Sequence, residues 1–390
     1  MTTETTEAKV SVQKHETKIT DEMIANLKSR IGKEICKSVD ELGFIGAEFR
    51  SNDIRHFCKG IGDFNPLFAD PDYATKTSYG KQVMPPGAIL EMEQLDPEHE
   101  GLRGCRAILE ASCLEWNSPI LMGDSLRGKT IVTAVRSVPG LDRVIVQDYE
   151  TVISNQKGET VGTVTNSWRS YERGSAMELM LYGRREPASY TREQIDEILQ
   201  EYKREEEKNL IRGATPRNGE SVQVGEDIPY IVKGPTTRTQ RATLWPDTGF
   251  SGGRIVKWYH GMGEGLEQYE KYPELFVLNE NGAPEPAESV EWLHERAQSL
   301  LGVPGSLEME SERLHWTIQL LTNWQGDGGF LRKLDLKFPN INLMGDLTRC
   351  YGKVKSKSSD NGKHVVEIDL WNANQTGDTV TVGTAEIILP

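Results

Sequence analysis

The residues best placed to do chemistry fall between Ile54 and Leu90. Ile54, Phe57, Cys58 and Ile61 recur at helical spacing and predict a short helix, which Gly60 and Gly62 end just before Asp63. Asn65-Pro66 sets an extended or turn conformation at Asn65. Pro85-Pro86-Gly87 then breaks the chain ahead of the apolar run Ala88-Ile89-Leu90. Proline in a first turn, followed by backbone N–H groups without intrahelical partners, makes a helix start suited to a polarised oxygen, with Gly87 as the donor position. Each of these residues also has a plainer use. Asp63 suits capping the turn after Gly62, Asn65 suits the turn before Pro66, and Tyr73 and Tyr79 suit a core as well as a pocket wall.

The elements around this stretch are legible from pattern. Thr20-Asp21-Glu22 opens a helix carrying Met23, Ile24, Leu27 and Ile31, with Thr20 as its cap. Leu95 is the expected end of the helix that begins at the prolines. From Arg106 to Tyr171 the chain is strand-like, punctuated at Gly123-Asp124, Pro139-Gly140 and Asn155 to Gly158. Thr191 and Gln194 form a capping box ahead of Ile195, Ile198, Leu199 and Tyr202, which predicts an amphipathic helix.

The second half repeats the first. Leu121-Met-Gly-Asp124 returns as Leu343-Met-Gly-Asp346, Asn155 to Thr160 as Asn374 to Thr379, and Val161-Gly-Thr163 as Val382-Gly-Thr384. A weaker parallel sets Ile54 to Asp63 beside Ile255 to Glu264. The longer spacing in the second copy predicts an extra helix over 289–301, and the helix Arg313 to Trp324 is the counterpart of the one at Gly87. Each copy reads as a helix against an antiparallel sheet, an α+β unit.

The motif Gly62-Asp63-Phe64-Asn65-Pro66-Leu67-Phe68-Ala69-Asp70, with Tyr73-Ala74, Tyr79-Gly80 and Pro85-Pro86, resembles the MaoC-like family of hot-dog hydratases and dehydratases of enoyl-CoA thioesters. The resemblance covers about residues 20 to 390, with its motif specific in the first half and diffuse in the second. It implies a double hot-dog: an arm at 1–18, an N-terminal dehydratase-like unit at 19–172, a linker with a helix at 173–225 and a C-terminal unit at 226–390. It also implies a carbon–oxygen lyase in which Asp63 does acid/base work, Asn65 orients the ligand, and Gly87, Tyr79 and Phe68 line the substrate site. Where the family has its catalytic His, this chain has Phe68, which transfers no proton. His56, His260, Glu264 and His315 are the candidate replacements. Lys76 and Lys81 are candidates to meet the anionic coenzyme. Two other readings stay open: a non-catalytic acyl-CoA-binding subunit beside a second hot-dog protein, and a hot-dog thioesterase or other CoA-thioester lyase.

Composition agrees with a soluble protein. The chain has 390 residues, 37% hydrophobic, with a net charge of −14, which argues against nucleic acid as a partner. No apolar run approaches the roughly 20 residues of a membrane helix. Five scattered cysteines give neither a zinc pattern nor a disulfide framework and point to the cytoplasm. A nucleophilic Cys58 activated by His56 is disfavoured because residues two apart on a helix do not share a face. No cofactor is expected beyond the CoA of the substrate, and a homodimer or a hetero-oligomer of hot-dog proteins is the expected assembly.

Overall fold

The computed structural model describes residues 17–35, 49–92, 101–176, 178–179, 181–182, 185–241, 266, 269–279, 281–286, 292–360 and 362–390. Residues 1–16 of the expected arm at 1–18, the parallel 255–264 and the start of the expected helix 289–301 lie outside these residues.

Helix α1 (Asp21–Lys28) begins where its cap predicts, with the Thr20 hydroxyl accepting from the Met23 amide at 3.1 Å. Helix α2 (Ser51–Ile61) buries Ile54, Phe57, Cys58 and Ile61 and ends at Gly62 (φ 68°), where only glycine is unstrained. Two single turns follow, α3 (Pro66–Ala69) and α4 (Pro71–Ala74), each with proline in its first position. The segment after the prolines departs from expectation. It is a 3₁₀ helix, Pro86–Met92, rather than an α-helix. The main-chain bond from Ala88 N to Pro85 O, 3.0 Å, closes its first tight turn.

Strands β1 (Arg106–Trp116), β2 (Arg127–Ser137), β3 (Ile145–Ser154) and β4 (Thr160–Tyr171) come next. Helix α5 (Arg192–Glu207) carries the expected capping box, with Thr191 and Gln194 bonded reciprocally. After it come β5 (Asp227–Lys233) and the short pair β6 (Phe276–Leu278) and β7 (Pro284–Pro286). Of the expected helix over 289–301, the described part is helical from His294: a single turn, His294–Arg296, runs into a π-helical segment, Ala297–Leu301. Helix α6 (Glu310–Gln325) and strands β8 (Phe330–Lys337), β9 (Thr348–Asp360), β10 (Lys363–Asn374) and β11 (Thr379–Leu389) complete the chain.

Nine strands form one sheet in the order β2-β3-β4-β1-β8-β11-β10-β9-β5. The order β2-β3-β4-β1 is mirrored by β9-β10-β11-β8, and the halves join along β1 and β8, where Leu114 lies opposite Leu334 and Glu115 opposite Lys333. The repeated residues occupy the same places in each half. Asp124 accepts from the Leu121 amide at 2.8 Å, and Asp346 accepts from the Leu343 amide at 2.8 Å. Gln156 accepts from the Ser125 amide at 2.9 Å, and Gln375 from the Leu347 amide at 3.0 Å. Gly162 and Gly383 sit where a Cβ would overlap the carbonyl oxygens of Glu115 and Asp335, so both copies of Val-Gly-Thr need the bare backbone.

The bridge between Val83 and Leu121 is matched by that between Leu307 and Leu343. Pro85-Pro86-Gly87 therefore corresponds to Met309-Glu310-Ser311 at the start of α6. One apolar core spans both halves, drawing on Phe57, Ile89, Leu114, Leu320, Leu334 and Ile387. Burying each such side chain stabilises the fold by about 1.5–3 kcal/mol. Although α6 crosses this core, it carries buried polar side chains, among them Glu312, Arg313, His315, Thr317 and Gln325. Such groups are costly to bury without partners.

Candidate active site

Asp63 is fixed by the way α2 ends. The left-handed turn at Gly62 brings the Asp63 amide onto the Cys58 carbonyl at 2.9 Å and turns the carboxyl inward. Asp63 Oδ1 accepts from the Asn65 amide at 3.0 Å, and Asn65 Oδ1 accepts from the Leu67 amide at 3.1 Å, capping α3. Asp63 and Asn65 are both buried, 1% and 2% exposed. The turn-capping uses foreseen for these residues are thus present, and they place an ionisable carboxyl in an enclosed setting.

Two basic side chains from the second half act on it electrostatically. Lys233, the last residue of β5, reaches the Gly62 carbonyl at 3.4 Å and donates to Gln319 Oε1, while Gln319 Nε2 donates to the same carbonyl at 3.2 Å. His315, on α6, is buried at 2% exposure with its ring edge-on to Phe57, centroids 5.5 Å apart. Burial raises the Asp63 carboxyl above its ordinary value, and the Asn65 amide, Lys233 and His315 each oppose that rise. Burial lowers the Lys233 ammonium, and Asp63 resists.

Gly87 lies against His315. A Cβ at Gly87 would overlap Nδ1 and stand 2.7 Å from Cε1 of that ring. The first turn of the 3₁₀ segment, the imidazole and the electrostatic reach of Asp63 therefore converge, with Asp63 and Gly87 from the first half and His315 from the second.

A small cavity open to solvent adjoins this cluster. Asn65, Phe68, Tyr79, Met84, Pro86, Trp116 and Phe330 line it, together with Thr322, Gln325 and Asp327 from the end of α6 and the turn beyond it. Trp116 Nε1 donates to the Pro86 carbonyl at 2.9 Å, and Gln82 Nε2 donates to the Phe68 carbonyl at 2.5 Å, so both wall segments are tied down. The lining is mostly apolar, as in small-molecule sites generally.

Phe68 and Tyr79 stand at the cavity and Asp63 and Gly87 beside it. The other expectations divide. His56 is exposed on the outer side of α2, away from Asp63, and Lys76 and Lys81 are exposed and do not line the cavity. His260 and Glu264 lie outside the described residues. Burial and the neighbouring Asp63 push the Cys58 thiol up, the opposite of an activated nucleophile. No group of side chains among the described residues could hold a metal ion. Lys233, Gln319, Gln325 and Asp327 had no signature in sequence, since each is brought in by the second half across the interface.

The described residues contain no helix long and apolar enough to cross a membrane. A family profile described as "FAS1-like, dehydratase domain region" matches residues 43–164. A UPF0336 protein from Parafrankia sp. (strain EAN1pec) is 30% identical over 148 residues, 34% of this chain and 94% of the relative. A UPF0336 protein from Streptomyces avermitilis is 25% identical over 139 residues, 31% of this chain and 87% of the relative. Among solved structures, a MaoC-like dehydratase superposes with TM-score 0.60 at 14% identity, covering 93% of this chain and 100% of that one. A putative MaoC domain protein dehydratase from Chloroflexus aurantiacus J-10-fl gives 0.56 at 10% identity, over 93% and 95%. A conserved hypothetical protein from Mycobacterium tuberculosis with a double hotdog fold gives 0.51 at 10% identity, over 88% and 93%.

Proposed function

The chain belongs to the MaoC-like family of double hot-dog dehydratases, and from that premise we propose that it hydrates an enoyl thioester of coenzyme A, or dehydrates the corresponding 3-hydroxyacyl thioester, with Asp63 and His315 as its acid/base pair. The observation that carries this reading is the meeting of Asp63, Gly87 and His315. The motif position that lacks a His, Phe68, is a wall of the cavity. An imidazole arrives instead from α6 of the other half.

The chemistry has three needs. A base takes a proton from water as its oxygen bonds to the β-carbon. An acid gives a proton to the α-carbon. A donor supports the thioester oxygen while it carries the charge displaced from the double bond. Asp63, raised by burial with Lys233 and His315 opposing the rise, suits the proton exchange with water. His315 supplies the second proton carrier. The main-chain N–H at the start of the Pro86–Met92 segment suits the oxygen. In the dehydrating direction each group runs in reverse.

The test is a panel of enoyl-CoA thioesters, short to bulky, followed by loss of the conjugated thioester absorbance. Wild type is expected to turn over part of the panel, and Asp63→Asn and His315→Gln to lose that turnover while staying folded. Wild type inert on every thioester, in both directions, would overturn the reading. Turnover that survives His315→Gln would remove His315 from the pair.

A further inference from the structure

The cavity wall contributed by the end of α6 and the turn beyond it carries two buried acceptors that nothing in the proposed reaction uses. Gln325 closes α6 and Asp327 follows it after Gly326, and they are 8% and 9% exposed. The Asp327 amide is anchored on the Gly213 carbonyl at 2.9 Å. Tyr73 donates its hydroxyl to Asp327 Oδ2 at 2.7 Å, which accounts for one carboxyl oxygen. The other, Oδ1, is buried with no hydrogen-bond partner. Gln325 Nε2 donates to the Gly329 carbonyl at 3.2 Å, which fixes the amide so that Oε1 is its remaining group, and Oε1 is likewise buried without a partner. Both residues line the cavity.

Two orphan acceptors two residues apart on one cavity wall are costly unless a donor meets them. No cation enters among the influences on Asp327. Burial raises its carboxyl and the Tyr73 hydroxyl opposes the rise. Tyr73 itself is pushed up to about 12 by burial and by Asp327, so it stays protonated and keeps donating to Asp327 Oδ2. Leu331 and Phe330 add apolar lining, and the hydroxyls of Thr322 and Tyr79, the latter close enough to Asp327 to feel its charge, are the other polar groups of the α6 and Tyr79 walls. A wholly hydrocarbon chain would strand both oxygens, and a chain bearing a hydroxyl would satisfy them.

Resting on the reading of this cavity as the acyl pocket, we infer that Asp327 and Gln325 form a specificity subsite for an acyl chain carrying a hydroxyl group remote from the thioester. The hydroxyl donates to Asp327 Oδ1 or Gln325 Oε1, and the chain runs from there along Phe68 toward Gly87.

The test separates binding from catalysis. Affinity is measured by calorimetry on the full chain for pairs of saturated, unreactive acyl-CoA thioesters of equal length, one with a terminal hydroxyl and one without, across several lengths. At the length that fits, the hydroxylated member is expected to bind at least about tenfold tighter, a difference of about 1.4 kcal/mol. Asp327→Leu is expected to remove or reverse that preference. Asp327→Asn, which keeps the shape and one acceptor oxygen, is expected to retain part of it and guards against a misfolded leucine variant. Equal or weaker binding of every hydroxylated thioester, as when water alone serves both acceptors, overturns the subsite. A clear preference in a protein that hydrates no enoyl-CoA leaves the subsite standing and removes only the proposed reaction.

Discussion

The imidazole of His315 occupies the space that a side chain at Gly87 would need, with Cε1 2.7 Å from the position of the missing Cβ. The bare backbone at Gly87 and the histidine on α6 are therefore one arrangement contributed by two halves of the chain. Gly87→Ala is expected to push the ring aside. Overpacking of this kind costs about 1–3 kcal/mol of stability. The displaced imidazole should cost turnover on the order of 10²-fold, because small misplacements of a catalytic group are expensive. A variant that keeps wild-type kcat would show that the ring is not held for chemistry.

His315→Gln is expected to lower kcat by about 10²–10⁴-fold, the usual worth of a positioned acid or base. Phe68→His in that background tests whether the motif position can take the role back. Recovery of rate there would show that both positions address the same reacting carbons. Circular dichroism and thermal melts establish that each variant is folded.

Asp63→Asn should abolish turnover without loosening the fold. The folded-state value of Asp63 is raised, so its contribution to stability is present at low pH and is lost as the pH rises through that value. Above that value the ionised carboxyl weighs against folding. Asparagine carries no charge and keeps an oxygen for the Asn65 amide, so its melting temperature is expected to equal or exceed that of wild type near neutrality. The gap should narrow as the pH falls into the ordinary carboxylate range. Melting curves across pH check this.

Lys233→Met removes a cation that holds the Asp63 carboxyl down. The acidic limb of the pH–rate profile, where Asp63 becomes ionised, is expected to move to higher pH, with the plateau rate less affected than the limb. An unmoved limb would mean that another group sets it.

Arg313 is fully buried and lies 3.1 Å from Glu308 Oε1, a second fully buried ionisable group. Burial pushes the Glu308 carboxyl up to about 8, with Arg313 opposing, so stability associated with this acid is lost as the pH rises through about 8. Arg313→Met leaves Glu308 without its nearest cation and is expected to destabilise by about 3–5 kcal/mol, more at alkaline than at acid pH. Urea melts at two pH values measure it.

Much of the fold was legible because the repeat preserves residues that backbone geometry demands. Gly162 and Gly383 sit where no side chain fits, and Asp124 and Asp346 close the same turn. The ends of α1 and α5 followed from Thr20 and Thr191, since a capping hydroxyl is a local signal. The Pro86–Met92 segment was misjudged because its apolar run suits an α-helix and a 3₁₀ helix alike. Asp63, Asn65 and Phe68 lie on one continuous motif and could be found. Lys233 and Asp327 could not, because their placement depends on how β5 and the end of α6 meet the first half, a relation that no local pattern encodes. His315 was visible only as one of several histidines, and its packing on Gly87 singles it out.

The seam between β1 and β8 has a consequence for how the protein responds to dilution. Asp63 and His315 sit on opposite sides of that seam. In two separate chains their encounter would depend on protein concentration, whereas the segment joining them makes it intramolecular. The seam also uses up one strand edge from each half, so the sheet closes at its centre and leaves β2 and β5 as its outer strands. Joining of the halves costs no association entropy, and the approach of His315 to Gly87 persists at concentrations where an equivalent two-chain assembly would have come apart.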